Sequence, residues 1–427
     1  MASTGNWNLS SAIRAGCRWV SAPWGYGVVM SASPSLIRDE MMPLYFAEEE
    51  IFSRRMRLLE KMDRRGIDLY VISSPANYYY ISGFFHGTPG GIFCLALKRD
   101  GSAVWIGRRT EMSNVTVFAN YGWTGEGIAI GDEEDPQEGL GKAIASLAEP
   151  GSTICLELSG RYPISYSAFE VLKCELRGHA LVDSAGMVES LRAIKSDTEL
   201  AYMRRAGQIS SDAIRAAVGS VTPGSTDSEL AGKLIAEAVR GGSEYMSLGP
   251  YVTAGPRSFL AHSSWGNVPL REGEIINTEI AAVVARYSAP VFRVSVLGKP
   301  SDDIRRFHEA SVAGLQAGLD KIKPGMKSLE ADAVVRQAID EKGYGEYFVV
   351  RAAYGVGINY PPSWDEEYVM SIRPRDERTL KAGMCFHLVP ALYKRDLGCV
   401  CCSMTIHITE SGVESLTPIP AELIQIG

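Results

Sequence analysis

No run of apolar residues in this chain approaches the ~20 needed to cross a bilayer, so no membrane-spanning helix is expected. Positive charge is not in excess. Lys and Arg number 43 against 50 Asp and Glu, and the net charge of −7 argues against a nucleic-acid or anionic-membrane partner. Cysteine is sparse, with eight residues scattered over 427, which is not the dense pattern of a disulfide-stapled secreted domain. A reducing, cytoplasmic setting is the expectation. The CVCC run (399–402) has no C-x-x-C partner pair elsewhere, so it cannot complete a tetrahedral zinc site and reads as buried strand cysteines. Gly87, Gly90 and Gly91 are not part of a GKS or GxGxxG pattern and read as turn glycines, so no nucleotide cofactor is expected. There is no short-period repeat and no low-complexity tract.

Residues 1–38 hold no Asp or Glu, three arginines (Arg14, Arg18, Arg38), many serines and no convincing apolar core. Over 1–42 the reading is a flexible arm, or upstream translation before an internal start at Met30, Met41 or Met42. An organellar transit segment has the same composition. The length allows two domains on a prior of roughly 100–200 residues each. The first is placed at 43–192. Ile51, Met56, Leu58, Leu59 and Met62 recur at helical spacing, and Gly66 ends that run. β-prone runs follow at 68–73, 91–98, 102–107 and 153–158, with helical stretches at 137–148 and 165–175. This is a mixed α/β domain.

The second domain is placed at 193–427. Ser196 or Asp197 caps a helix with Glu199 in its first turn, and Thr226 with Glu229 repeats the pattern. Long β-prone stretches occupy 274–298, interrupted by Pro290. Helices are expected at 302–322 and 328–341, and strands at 384–393 and 400–409. Helix pair, strands, helix pair, strands is the order of an α+β domain with helices backing an antiparallel sheet.

Several segments resemble the pita-bread family of creatinases, prolidases and methionine aminopeptidases. RAIKSDTELAYMRRAGQI looks like that family's junction between domains, GKPSDDIRRFHEA and IKPGM like its next helix and turn, and LKAGMCFHLVPALY like its penultimate strand. The resemblance covers most of 45–427 and implies a two-domain creatinase/aminopeptidase-like α+β fold. The family's metal-dependent peptidases bind two metals through two aspartates, a histidine and two glutamates. On this chain those positions fall at Glu279, Pro290, Tyr354, Val389 and about Ser403. Proline and valine offer no side-chain donor, and hard divalent ions want carboxylate oxygen or imidazole. No metal and no other cofactor is expected.

TEIAAVVARYSAPVFRVSVLGKP, GINYPPSWDEEYVMSIRPRDERTLKAGM, FHLVPALY and WIGRR are similar to segments of bacterial ectoine hydrolases, which open a cyclic amidine to an N-acetylated diamino acid. The run GCVCCSMTIHIT departs from that pattern, which would carry acidic residues near 401–404. The resemblance implies a metal-independent hydrolase of a small amidine or guanidino acid. Creatinase-like action on a guanidino acid, an Xaa-Pro peptidase and an inactive binding module are the alternatives.

The segment Ala261–Arg293 places His262 seventeen positions before Glu279. A carboxylate beside an imidazole can activate water, or attack directly, and pass a proton to a departing nitrogen. Glu279 is the candidate nucleophile or base and His262 the acid/base, although a salt-bridged strand carboxylate and a backbone-satisfied histidine have the same spacing. Tyr287 and Arg293 stand at even spacing from Glu279, so an unbroken strand would put all three on one face. Either could contact substrate, or fill the core and form a structural ion pair. Tyr354, Tyr360 and Trp364, in a proline-rich stretch, offer aromatic faces to a flat amidinium or pack as a restrained loop. His387 contacts ligand or packs in the core.

In the first domain Trp105, Arg108 and Arg109 end a strand, and SSPANYYYISG (73–83) reads as a Tyr-rich loop. In pita-bread homodimers the first domain of one subunit approaches its partner's active site. By that resemblance Trp105, Arg108 and Arg109 are candidate substrate contacts, the arginines for a carboxylate.

Overall fold

The structure, a computed structural model, describes residues 45–84, 91–112, 114, 115 and 126–427. The expected N-terminal arm lies outside the described residues, as do Gly87 and Gly90. The chain divides into two compact units, the first ending at Leu191 and the second spanning Arg192–Gly427.

The first unit opens with α1 (Glu48–Arg64), which buries Ile51, Leu58 and Met62 and carries Glu48, Glu49 and Glu50 at its positive end. Gly66 turns the chain at φ +62, a conformation open to glycine, into strand β1 (Leu69–Ile72). Next come α2 (Pro75–Ser82), β2 (Phe93–Lys98), β3 (Ala103–Arg108), β4 (Glu126–Ile130), α3 (Pro136–Leu147), β5 (Thr153–Leu156), α4 (Tyr166–Glu175), β6 (Ala180–Asp183) and α5 (Met187–Arg192). The strands form one mixed sheet in the order β4-β3-β2-β1-β5-β6. Asp135 caps α3 and Ser165 caps α4 through their side-chain oxygens. Leu69, Val71, Ile106, Ile144, Leu156 and Leu172 share the core beneath these helices.

The Tyr-rich stretch is a helix and not a loop: Pro75 occupies its first turn, Gly83 ends it in the left-handed conformation, and all eight residues of α2 are buried. A helix buried on every side shows no polar face, so its periodicity is invisible in sequence. Asn77 anchors it, donating from Nδ2 to Glu157 at 2.6 Å and to Glu189 at 2.8 Å.

The second unit begins with two helices packed together, α6 (Asp197–Val218) and α7 (Asp227–Arg240). Ser196 with Glu199 and Thr226 with Glu229 both close capping boxes. Strands β7 (Tyr251–Ala254), β8 (Ile275–Ile280), β9 (Val283–Val284), β10 (Tyr287–Ser288) and β11 (Val291–Leu297) follow, then α8 (Asp302–Lys321) and α9 (Ser328–Asp340). The remainder is β12 (Ala353–Tyr360), β13 (Ser363–Asp365), β14 (Ser371–Ile372), β15 (Cys385–Leu388), β16 (Leu392–Lys394), β17 (Gly398–Val400), β18 (Met404–Ile408), β19 (Val413–Ser415) and β20 (Ile424–Ile426).

One sheet runs β20-β11-β8-β7 and a larger one β19-β18-β15-β12-β10-β9, with β13 and β14 paired to β12. The first sheet has two faces with different partners. Ile276, Ile280 and Val291 pack with Ile214, Leu230 and Leu234 of α6 and α7, while Ile275, Val294 and Val296 join Phe307, Val335 and Leu388 on the other side. Glu366 is buried beside Arg192 and Lys195, with Lys195 Nζ at 3.4 Å, and the two cations hold its carboxyl below the usual range against the opposing effect of burial.

Candidate functional site

The site grows out of two strand pairings. In the first, β8 lies between β7 and β11, and register sets Tyr251 and Phe292 directly opposite Glu279 on either side. Residues opposite one another share a sheet face, so these three side chains form a row. Arg293 pairs with Thr278 instead. The even-spacing expectation therefore fails for Arg293. The chain leaves β8 at Ile280, passes through β9 and β10, and returns antiparallel as β11, which resets the parity.

In the second pairing, Tyr354 of β12 lies opposite His387 of β15. The Tyr354 hydroxyl is 2.7 Å from His387 Nδ1, and His387 Nε2 is 2.6 Å from Ser403 Oγ. Trp364 Nε1 donates to the Tyr354 hydroxyl at 3.0 Å, and the Phe292 N–H donates to Ser403 Oγ at 2.8 Å. Glu279 Oε1 stands 3.7 Å from His387 Nδ1. The imidazole is thus held between two hydroxyls with its Nδ1 edge toward the carboxyl.

The electrostatics make this a neutral cluster and not an ion pair. Burial pushes the Glu279 carboxyl up to about 8, its side chain being 12 % exposed. Burial, reinforced by the positive charges of Arg293 and Arg351, pushes His387 down to about 3. Burial and then the Glu279 charge raise the Tyr354 phenol well above its ordinary value. Near neutral pH the carboxyl is protonated and the imidazole is uncharged. Phe292, paired with Glu279 across β8 and β11, belongs to an apolar wall in which Cys399 and Cys401 pack with Ala391, Val350, Val389 and Tyr393. Burial pushes Cys399 up to about 12, so this wall offers a thiol and not a thiolate.

His262 is exposed at φ +54, with its ring 5.9 Å from that of Tyr251, and no hydrogen bond or ion pair among the described residues joins it to Glu279. The imidazole that meets Glu279 is His387. Trp364 is in the cluster and also stands edge-on to Tyr251 at 5.4 Å. Tyr287 is buried and its hydroxyl donates to Glu199 of α6 at 2.6 Å. Arg293 is buried behind the cluster, its guanidinium donating to the carbonyls of Phe292, Ser403, Ile419 and Pro420. The Tyr360 ring lies under the Arg286 guanidinium, 4.8 Å away. In the first unit Trp105 is 0 % exposed, enclosed by Tyr78, Phe84 and Phe93, and presents no surface to a ligand there. Arg108, half-buried, and Arg109, exposed, pair with Asp132 and Glu133 at 2.6 and 2.8 Å. Exposed pairs of this kind are weak and exchange partners readily. Tyr251 and Phe292 carry no signal in the sequence, because only strand register brings them to Glu279.

Residues 201–410 match metallopeptidase family M24, and 54–194 match the creatinase/prolidase N-terminal domain. The ectoine hydrolase of Halomonas elongata is 31 % identical over 89 % of this chain and 98 % of its own length. The chain belongs to family M24. It has the two-domain fold of a creatinase N-terminal domain followed by a pita-bread domain. The Xaa-Pro dipeptidase of Pyrococcus furiosus is 26 % identical over 87 % of this chain and 99 % of its own. Among solved structures, the prolidase of Pyrococcus horikoshii superposes with a TM-score of 0.75 at 25 % identity, over 87 % of this chain and 100 % of that one.

Membership of family M24 raises the question of a metal centre, and the side chains present do not fit one. Of the five positions a two-metal site would use, Glu279 alone supplies a carboxylate. The Tyr354 and Ser403 hydroxyls are engaged by His387, Val389 lies in the apolar wall, and the Pro290 carbonyl accepts from Thr405 Oγ1 at 2.7 Å. Among the described residues no group of three or more His, Cys, Asp or Glu side chains is arranged to hold a metal ion. No helix among them is long and apolar enough to cross a membrane.

Proposed function

We propose that this chain is a metal-independent hydrolase that opens a C–N bond of a small cyclic amidine, ectoine-like before creatine-like, to give a ring-opened N-acetyl diamino acid. The observation that carries this reading is the replacement of a dinuclear ligand set by one buried carboxyl facing a neutral, hydrogen-bonded imidazole. Such a site has no use for a divalent ion and suits a flat organic cation. Binding an amidinium beside Glu279 favours the carboxylate over the acid, since an opposite charge nearby stabilises the ionised form. One proton leaves as the substrate enters.

Glu279 then takes a proton from water as its oxygen adds to the carbon between the two nitrogens. The proton passes to one ring nitrogen, the C–N bond breaks, and the hydroxyl proton follows to the amine. Amidinium and water become amide and ammonium, and Glu279 is again a carboxylate. His262, on the exposed turn beside Tyr251, is the proton carrier for the departing nitrogen. His387, fixed by Tyr354 and Ser403, holds the geometry. In the covalent variant a Glu279 oxygen attacks the same carbon, the ring C–N bond breaks as its nitrogen takes a proton through His262, and water then adds to that carbon, releasing the amide and the Glu279 carboxylate and returning its proton through His262; mass spectrometry of acid-quenched enzyme shows the adduct or rules it out.

Incubation with ectoine, hydroxyectoine and creatine, with mass detection of water addition, tests the reading. Turnover of ectoine or hydroxyectoine supports it, and absence of turnover on all three sinks it. Glu279→Gln should lower turnover by ~10²-fold or more, with the fold intact. The Xaa-Pro peptidase reading is favoured by sequence relatives and structural neighbours that carry that activity; stoichiometric bound metal with dipeptide cleavage would put it first. A cytoplasmic homodimer is the expected working form, tested by sedimentation.

A further inference from the structure

The chemistry above assigns a partner to the cationic half of the substrate and none to its carboxylate. We propose that Arg351 binds that carboxylate and makes the enzyme selective for amidine acids over plain amidines. The inference rests on the proposed amidine reading and adds to it the group that recognises the acid.

Arg351 lies two residues before β12, the strand that carries Tyr354. Its backbone is pinned on both sides. The Ala352 N–H donates to Asp332 Oδ1 at 2.9 Å, the Ala352 carbonyl accepts from the Val389 N–H at 2.8 Å, and Arg336 of α9 donates to the Val350 carbonyl. The guanidinium carbon stands 5.0 Å from the centre of the Tyr354 ring, within cation–π range. The same tyrosine reaches His387 through its hydroxyl, and His387 reaches Glu279. One aromatic ring therefore links an anion-binding group to the buried carboxyl.

Two further observations mark Arg351 as available. Its Nε is buried and has no hydrogen-bond partner among the described residues. Among the described residues its one carboxylate partner is Glu367 Oε2 at 2.7 Å, with the two side chains 34 % and 46 % exposed. A half-exposed pair is easily exchanged. A substrate carboxylate can take the place of Glu367 and satisfy Nε in a two-pronged guanidinium–carboxylate contact. Arg293, the other arginine whose charge acts on His387, is committed to four backbone carbonyls and cannot do this. A dipolar ligand would thus lie along Tyr354, with its amidinium toward Glu279 and its carboxylate toward Arg351.

The test compares kcat/KM for ectoine and for its decarboxylated cyclic amidine in the full-length protein, with Arg351→Gln, Arg351→Lys, Glu367→Gln and the double variant Arg108→Gln/Arg109→Gln. The wild type should prefer the acid by about 10- to 100-fold, the range of one charge-assisted contact. Arg351→Gln should abolish that preference through a higher KM for the acid while leaving the decarboxylated substrate within about threefold. Arg351→Lys should fall between, having charge without the fork. Glu367→Gln should lower KM for the acid by removing the competitor. Retention of the preference by Arg351→Gln, equal loss of both substrates, or transfer of the effect to the Arg108/Arg109 variant overturns the assignment while leaving the hydrolase reading intact. No turnover of either substrate by the wild type overturns both.

Discussion

Glu279 should make this protein less stable as pH rises, and its removal should reverse that trend. Its carboxyl is held up to about 8 by burial, against an ordinary value of 4.5. Below the ordinary value the group is protonated in folded and unfolded chains alike. Between there and about 8 the unfolded chain has released the proton and the folded one keeps it. The folded state binds more protons, so stability falls with pH across that window, by about 1.4 kcal/mol per unit for a single group. Over the whole shift this is roughly 4–5 kcal/mol, an upper figure because water entering the opened pocket would reduce it.

Glu279→Gln is nearly isosteric and has no proton to lose. Its stability relative to wild type should be near constant at pH 4 and below, grow through pH 5–8, and level off above. Denaturant or thermal unfolding at one-unit pH steps reads this difference directly. A difference that does not change between pH 5 and 8 refutes the buried, protonated carboxyl. The same ionisation should shape catalysis. If Glu279 works as a carboxylate, kcat/KM should climb tenfold per unit below about 8 and then flatten, because that ratio reports the free enzyme. The limb in kcat should sit lower, since a bound cation favours the ionised form.

Three other outcomes are expected. Tyr287→Phe removes the bond to Glu199 and should cost about 1–3 kcal/mol of stability while leaving kcat/KM per folded molecule unchanged, measured by unfolding and initial rates. Trp105→Ala opens a hole among Tyr78, Phe84 and Phe93 and should cost about 3–5 kcal/mol, read by proteolysis of the first unit or by thermal unfolding. Exhaustive chelation should leave amidine turnover unchanged, and added manganese, cobalt or zinc should not raise it; a metal-restored activity would overturn the proposed chemistry.

The parts of the fold that could be read from sequence are those governed by neighbours along the chain. Ser196 with Glu199 and Thr226 with Glu229 are three-residue signals, and both close their capping boxes. Ile51, Leu58 and Met62 fall on the buried face of α1 because one side of that helix meets water. The same logic misread the Tyr-rich stretch, whose helix meets water on no side. Glu279 could be singled out because a lone carboxylate stood where a ligand set was otherwise lost. His387 could not be separated from a core histidine, and the spacing that marks His262 does not record that its ring stands beside Tyr251.

Sequence by itself determined that this chain has the two-part architecture of its family, and which residue types stand at the positions its resemblance to the metal-dependent peptidases marks out, because ligand chemistry is a property of side-chain type. Tertiary structure alone decided which imidazole faces Glu279, that Tyr251 and Phe292 flank it, and that Tyr287 and Arg293 turn to Glu199 and to backbone carbonyls. Those outcomes depend on strand register across β7, β8 and β11 and across β12, β15 and β18. A hairpin that shifts by one residue exchanges the two faces of a sheet, and nothing local to Glu279 records which way it went.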